Sequence, residues 1–288
     1  MLRHPKPLVS WAGGKRRLLK HLLPLIPSHV CYAEVFGGGG AMLFAKERSK
    51  LEVYNDINGE LVNLYRQVKW HPAELRNEIA LVPSSRELFR SFMASHGLTE
   101  IQRAARFLLI NRWSFGGLGD SYGISKIAGG GGGNVSLLSL SENVSAVSQR
   151  LDRVNIENLD WRKVFAKYDG PSTFFFVDPP YIRASDTNYS AWFPEEMLEL
   201  RAALELLQGS WLLTVDDSPE CRQIFAGLPM RSVGRANGIE NRPGRKRNKV
   251  YHELIIGPKL PLGVPELRPN CRPNGTQNRR KPLESRVS

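Results

Sequence analysis

The stretch Val30–Lys46, VCYAEVFGGGGAMLFAK, decides the fold. Its first residues, Val30 to Phe36, read as a short buried strand closed by Gly37–Gly40, and Ala41–Lys46 has helix-forming composition, giving strand, tight turn, helix. The same order recurs at once. Leu51–Tyr54 is a second short strand ending in Asn55 and Asp56, and Ile57–Val68 carries Leu61, Leu64, Tyr65 and Val68 at helical spacing. Strands alternating with helices predict an α/β fold: a parallel sheet with helices on its faces.

Working outward, Arg16–Leu25 is an amphipathic run, and His71–Leu109 has helical apolar spacing broken at Pro83 and Gly97. Asn111–Asn134 is glycine-rich and polar and ends in Gly129–Gly133. Such a composition supplies no core and predicts a mobile loop on an inserted helical subdomain. The sheet pattern resumes at Val154–Ile156, Phe174–Val177 and Trp211–Val215, with Tyr251–Ile256 as the last strand. Residues 1–70 and 150–260 are therefore expected to build the α/β domain and 71–149 the insertion. Residues 261–288, rich in Pro, Arg and Asn, are expected to be a disordered basic tail.

The chain of 288 residues is 41% hydrophobic, enough for a sizeable core. No apolar run approaches the ~18 residues that span a bilayer, and no signal-peptide pattern opens the chain, so a cytoplasmic protein away from the membrane is expected. Cys31, Cys221 and Cys271 are too scattered for a disulfide framework or a metal knuckle. A formal charge of +12 suits a polyanionic partner such as nucleic acid, although a basic surface serving solubility accounts for charge alone equally well.

Three constellations carry chemistry. The first is Glu34–Gly40, with Phe36, Gly37 and Gly39, followed by Asp56. Glycines after a strand let a ligand come close to the backbone, and an acid roughly 20 residues on can bind ribose hydroxyls. An adenosine-containing cofactor fits, but the third glycine of a dinucleotide fingerprint is replaced by Met42 and Leu43, and Asp56 could simply cap the next helix. The second is Trp11-Ala12-Gly13-Gly14-Lys15, an aromatic ring and a cation around a flexible turn. Trp11 could pack on a cofactor and Lys15 meet a carboxylate; equally, Trp11 could be core and Lys15 solvated. The third is Asp178-Pro179-Pro180-Tyr181 after Phe174–Val177. Its prolines stiffen the strand end. Asp178 and the Pro179 carbonyl are then two acceptors for the two hydrogens of an exocyclic amine, and Tyr181 is a flat face for a base.

These motifs, in this order, resemble the Dam-type DNA adenine-N6 methyltransferases (D12 class). The likeness runs from about Pro7 to Pro258 through WAGGK (Trp11–Lys15), EVFGGGGAM (Glu34–Met42), YNDINGELVNLY (Tyr54–Tyr65), LINRWSFGGL (Leu109–Leu118) and FFFVDPPY (Phe174–Tyr181). It implies a class I, Rossmann-like methyltransferase sheet with a target-recognition insertion. S-adenosylmethionine is implied as cofactor, bound by Trp11, Lys15, Glu34, Phe36, Gly37, Gly39, Asp56 and Asp178, with no metal. The implied partner is double-stranded DNA, the chain acting as a monomer. Asp178, Pro179, Pro180 and Tyr181 are then catalytic: the acid and the Pro179 carbonyl accept both N6 hydrogens of a flipped-out adenine on which Tyr181 stacks. Arg112, Ser114 and Phe115 match the start of the recognition loop, and Arg245, Lys246, Arg247 and Lys249 suit phosphate. The glycine-rich residues after Leu118 depart from the GATC-modifying members. Cytosine-N4 or RNA amino-methyl transfer, and nicotinamide-dependent oxidoreduction, are the alternatives.

Overall fold

The structure, a computed structural model, describes residues 4–11, 13–80, 82–123, 136–182, 192–236, 250–258 and 260. In chain order the strands are β1 (Cys31–Glu34), β2 (Leu51–Asn55), β3 (Val154–Glu157), β4 (Thr173–Val177), β5 (Ser210–Asp216), β6 (Met230–Ala236) and β7 (Val250–Ile256). The helices are α1 (Leu19–Leu22), α2 (Ala41–Ala45), α3 (Gly59–Trp70), α4 (Pro72–Ala80), α5 (Arg86–Ala94), α6 (Glu100–Trp113), α7 (Leu137–Leu151), α8 (Trp161–Tyr168), α9 (Pro194–Leu206) and α10 (Pro219–Ile224).

The described strands form one seven-stranded sheet in the order β3-β2-β1-β4-β5-β7-β6. β1 to β5 run parallel, with Cys31 opposite both Leu51 and Thr173. β7 is antiparallel to β5 and to β6. The expected parallel sheet with helices on its faces is thus found, with an antiparallel pair, β7 and β6, added at one edge. β6 escaped the sequence reading because Val233 alone is buried on it among the residues whose side chains are described, so it lacks an apolar run.

β4 is buried throughout, as a central parallel strand must be when helices cover both faces. Its side chains alternate. Phe174 and Phe176 join Tyr32, Tyr54 and Leu212 in a core shared with α3, α4, α6 and α7. Phe175 and Val177 join Val35, Leu213 and Val215 against α8, α9 and α10. The helices between β2 and β3 therefore cover one sheet face.

Helix ends follow local chemistry. Asn58 caps α3, its side chain accepting from Glu60 and Leu61 N–H, and Thr99 caps α6 in a reciprocal box with Gln102. α6 runs through Trp113, so Asn111–Trp113 are helical, not loop. Trp113 is fully buried, which corrects the expectation that this stretch adds nothing to the core. Arg16–Leu25 forms a short 3-10 turn, α1 and a second 3-10 turn at Pro24 rather than one helix. Gly129–Gly133, the run Arg245–Lys249 and the tail from 261 lie outside the described residues.

Candidate active site

Strand order reverses between β1 and β4, which opens a crevice at the C-terminal edge of the parallel strands. Each neighbouring strand end delivers one part of a site there.

β1 delivers the glycine turn. Gly37 N donates to Asn55 O at 2.7 Å, and the hydroxyls of Tyr54 and Tyr65 donate to the carbonyls of Gly38 (2.6 Å) and Gly39 (2.8 Å). Both tyrosines are fully buried, so these carbonyls face the core. Gly38 (φ +48°) and Gly40 (φ +70°) occupy the left-handed region that glycine tolerates. The close approach expected at Gly37 is made by Tyr54: a Cβ there would lie 2.3 Å from its ring. At Gly39 the nearest atom would be 3.5 Å away, on Pro7. The Trp11 indole lies over Gly38, where a Cβ would stand 2.7 Å from it.

Glu34 is buried beneath this turn. Its Oε2 accepts from Tyr32 Oη (2.9 Å) and from Leu43 N (2.7 Å) at the start of α2. Burial lifts its pKa to about 8, with these two hydrogen bonds opposing the shift. Phe36 meets Trp192 edge-on at 5.4 Å between centroids. Trp192 in turn bridges to Ile182, just after the Asp178–Tyr181 segment.

β2 delivers Asp56. Its two oxygens accept from Gly38 N and Asn58 N, each at 2.8 Å, so it ties the turn and is not the cap of α3. Burial raises its pKa, opposed by these backbone donors.

β4 delivers Asp178, and here the chain converges. Lys15 is 3% exposed, not solvated, and its Nζ lies 2.6 Å from Asp178 Oδ1 and 3.5 Å from Glu253 Oε2 on β7. The same nitrogen donates to Gly13 O (2.8 Å) and Tyr181 Oη (3.1 Å). Burial would lower the ammonium's pKa, but Asp178, Tyr181 and Glu253 raise it well above the ordinary lysine value. The carboxylate that Lys15 meets is therefore the chain's own. Thr214 Oγ1 on β5 also donates to Asp178 Oδ1, at 2.8 Å. Burial still holds the Asp178 carboxyl above the ordinary aspartate range, with Lys15 pulling it down. The Asp178 side chain is 17% exposed, Pro179 is buried and Tyr181 is half-buried with its ring 5.2 Å from Lys15 Nζ.

Among the expected DNA-contacting residues, Arg112, Ser114 and Phe115 lie at the end of α6 and just beyond it, next to the segment that carries Ser10. Asn111 holds Ser10 from both directions, Ser10 N donating to Oδ1 and Nδ2 donating to Ser10 O, each at 2.8 Å. Gly117 (φ +80°) packs so tightly on Ser10 that a Cβ would stand 2.4 Å from its carbonyl. Arg112 is half-buried; its Nε makes no hydrogen bond among the described residues, and burial lowers its pKa. Ser114 is buried and spends its hydroxyl internally, donating to Asn111 O and accepting from Gly119 N. Phe115 begins a 3-10 turn, Phe115–Gly117. The basic quartet Arg245, Lys246, Arg247 and Lys249 is outside the described residues.

Sequence reading missed Thr214, Glu253, Tyr54, Tyr65 and Asn111. A signal existed for two. Thr214 is the polar residue inside the apolar run Trp211–Val215, and Glu253 the acid inside Tyr251–Ile256. A polar group in a buried strand needs a partner.

With the geometry in place, comparison with known proteins is direct. Residues 11–227 match the family model described as D12 class N6 adenine-specific DNA methyltransferase. The chain is 28% identical to the type II methyltransferase M1.LlaDCHI of Lactococcus lactis subsp. cremoris, over 87% of this chain and 94% of that protein. It is 26% identical to the DNA adenine methylase of Haemophilus influenzae (88% and 94% covered) and 24% identical to that of Vibrio cholerae (88% and 97% covered).

Proposed function

The chain belongs to the D12 class N6 adenine-specific DNA methyltransferases, and from that premise we propose that it transfers the methyl group of S-adenosylmethionine to a flipped-out adenine in double-stranded DNA. The observation that carries the reading is the placement of Asp178 at the switch point between β1 and β4, beside Lys15 and Tyr181.

The donor set of the crevice fits the cofactor. Asp56 faces the glycine turn with each oxygen holding one backbone N–H, which leaves further lone pairs for ribose hydroxyls. Trp11 and Phe36 flank the turn with aromatic surface. When bound, S-adenosylmethionine supplies a sulfonium-activated methyl group.

The protein's residues act on the amine. Adenine N6 is a weak nucleophile because its lone pair is delocalised into the ring. Asp178 and the Pro179 carbonyl accept its two hydrogens, favouring a pyramidal nitrogen with the lone pair free to attack. Bound S-adenosylmethionine would supply its methyl group to this lone pair, and the N6 proton shed on transfer would leave along its hydrogen bond to Asp178. No described residue donates to the Pro179 carbonyl or to Asp178 Oδ2, so both acceptors are open to substrate. Tyr181, fixed through its hydroxyl by Lys15, provides the stacking face.

The unit 71–149 serves target recognition. Arg112 carries a buried Nε with no hydrogen bond among the described residues, beside the Asn111–Ser10 clamp, and the half-buried guanidinium at the helix end would meet an anionic partner through its other nitrogens. The test is incubation with duplex DNA and labelled S-adenosylmethionine, followed by digestion to nucleosides. Label in N6-methyladenosine is expected; label in N4-methylcytosine, or none, overturns the reading.

A further inference from the structure

The Asp178 carboxylate is held asymmetrically. Lys15 Nζ at 2.6 Å and Thr214 Oγ1 at 2.8 Å both reach Oδ1, whereas Oδ2 receives no hydrogen bond among the described residues. The two donors come from opposite ends of the chain, Lys15 from the turn before α1 and Thr214 from β5, the strand beside β4. Thr214 is completely buried, and its hydroxyl would be costly there without an acceptor. A lone donor on one oxygen leaves a carboxylate free to rotate about Cβ–Cγ and exchange its oxygens. Two donors from different directions on the same oxygen fix the plane of the group.

We propose that Thr214 is a positioning residue for methyl transfer: with Lys15 it clamps Oδ1 of Asp178, so that Oδ2 alone, at a fixed angle to the Pro179 carbonyl, meets the N6 amine. The idea rests on the reading of Asp178 as the acceptor of an N6 hydrogen. The site needs two acceptors at one defined separation, because the two N–H bonds of an amine diverge at a fixed angle. The prolines fix one acceptor and the clamp fixes the other. Thr214 touches neither cofactor nor base; it acts through Asp178. The clamp also favours the ionised carboxyl. The charged and titratable groups facing Asp178 are Lys15 before α1, Glu34 from β1, Tyr181 beyond β4 and Glu253 from β7. Lys15 pulls its pKa down, Glu253 pushes it up, and the Thr214 hydroxyl is the neutral donor that pulls it down.

The experiment compares the full chain with Thr214→Val, Thr214→Ser and Thr214→Ala in steady-state methylation of duplex DNA over pH, with cofactor affinity measured separately by direct binding. Thr214→Val keeps the shape and removes the donor. It should lower kcat roughly ten- to hundredfold, the range for losing a hydrogen bond to a charged group, while KM for DNA and cofactor affinity stay near wild type. The acid limb of its pH profile should move upward, because the carboxylate loses a donor. Thr214→Ser should restore both kcat and the limb. If Thr214→Val does not fold, Thr214→Ala against Thr214→Ser carries the same contrast. A Val variant as fast as wild type, a Ser variant as slow as Val or Ala, or a loss confined to KM each overturns the proposal. Wild type that does not methylate adenine overturns the functional reading itself, a separate outcome.

Discussion

Two buried lysine–carboxylate clusters sit at opposite ends of the parallel strands, and they behave differently. At the N-terminal edge Glu52 of β2 takes Arg150 of α7 through both oxygens (2.5 and 2.9 Å) and Lys46 at 2.5 Å. Lys46 also donates to Ser49 Oγ and Glu47 O, and Arg150 to Leu43 O. Burial works against the Glu52 anion, yet its hydrogen bonds to Arg150 and Lys46 hold its pKa below the ordinary value. At the C-terminal edge Asp178 has one cation and one hydroxyl on a single oxygen, and burial wins: its pKa is raised. The first carboxylate is saturated and bolts α7 to the sheet, although Arg150 Nε is left without a hydrogen bond among the described residues. The second leaves an oxygen open toward the crevice. A carboxylate with both oxygens taken marks a structural ion pair; an unsatisfied acceptor at a strand's C-terminal end marks a site.

The contrast is easiest to break at the saturated end. Glu52→Ala strands Lys46 and Arg150 without their shared carboxylate and should cost about 3–5 kcal/mol in urea unfolding, with the methylation rate per folded molecule unchanged; a loss below about 1 kcal/mol would make the cluster dispensable. Glu34 sharpens the contrast next. Its folded pKa of about 8 exceeds the unfolded value, so the unfolded chain releases this proton first, and stability should decline as pH rises from the ordinary glutamate range to about 8. Glu34→Gln should flatten that decline in thermal melts across pH; an unaltered decline would mean that another group causes it. The smallest effect is expected at Arg112. Arg112→Ala should weaken DNA binding evenly across sequences and reduce the salt slope by about one charge. An unchanged slope in salt titrations would remove Arg112 from the phosphate contacts.

How much of this was legible beforehand depends on distance along the chain. The strand–glycine–helix unit at β1 and α2, the buried runs of β2, β4 and β5, and the acid at a proline-stiffened strand end are local patterns, and all were read. The burial of Lys15 was not local: its partner Asp178 lies just past the end of β4, after the whole inserted helical stretch. Thr214 and Glu253 are polar residues in apolar runs, but their partner follows from the β4-β5-β7 order, which composition does not encode. The glycines after Trp113 hid the last turn of α6, whose fully buried indole is held by tertiary packing. β6 stayed invisible because an edge strand whose described side chains include a single buried one lacks the periodicity by which strands are found.

The most direct test removes the Asp178 carboxylate, the open acceptor with its clamped oxygen. Single-turnover methylation by Asp178→Ala, at saturating DNA and S-adenosylmethionine, should fall by at least two to three orders of magnitude, while its melting temperature and circular dichroism stay those of a folded chain. Near-normal turnover by that variant would mean that the amine is captured elsewhere, and the role assigned to the β4 strand end would be wrong.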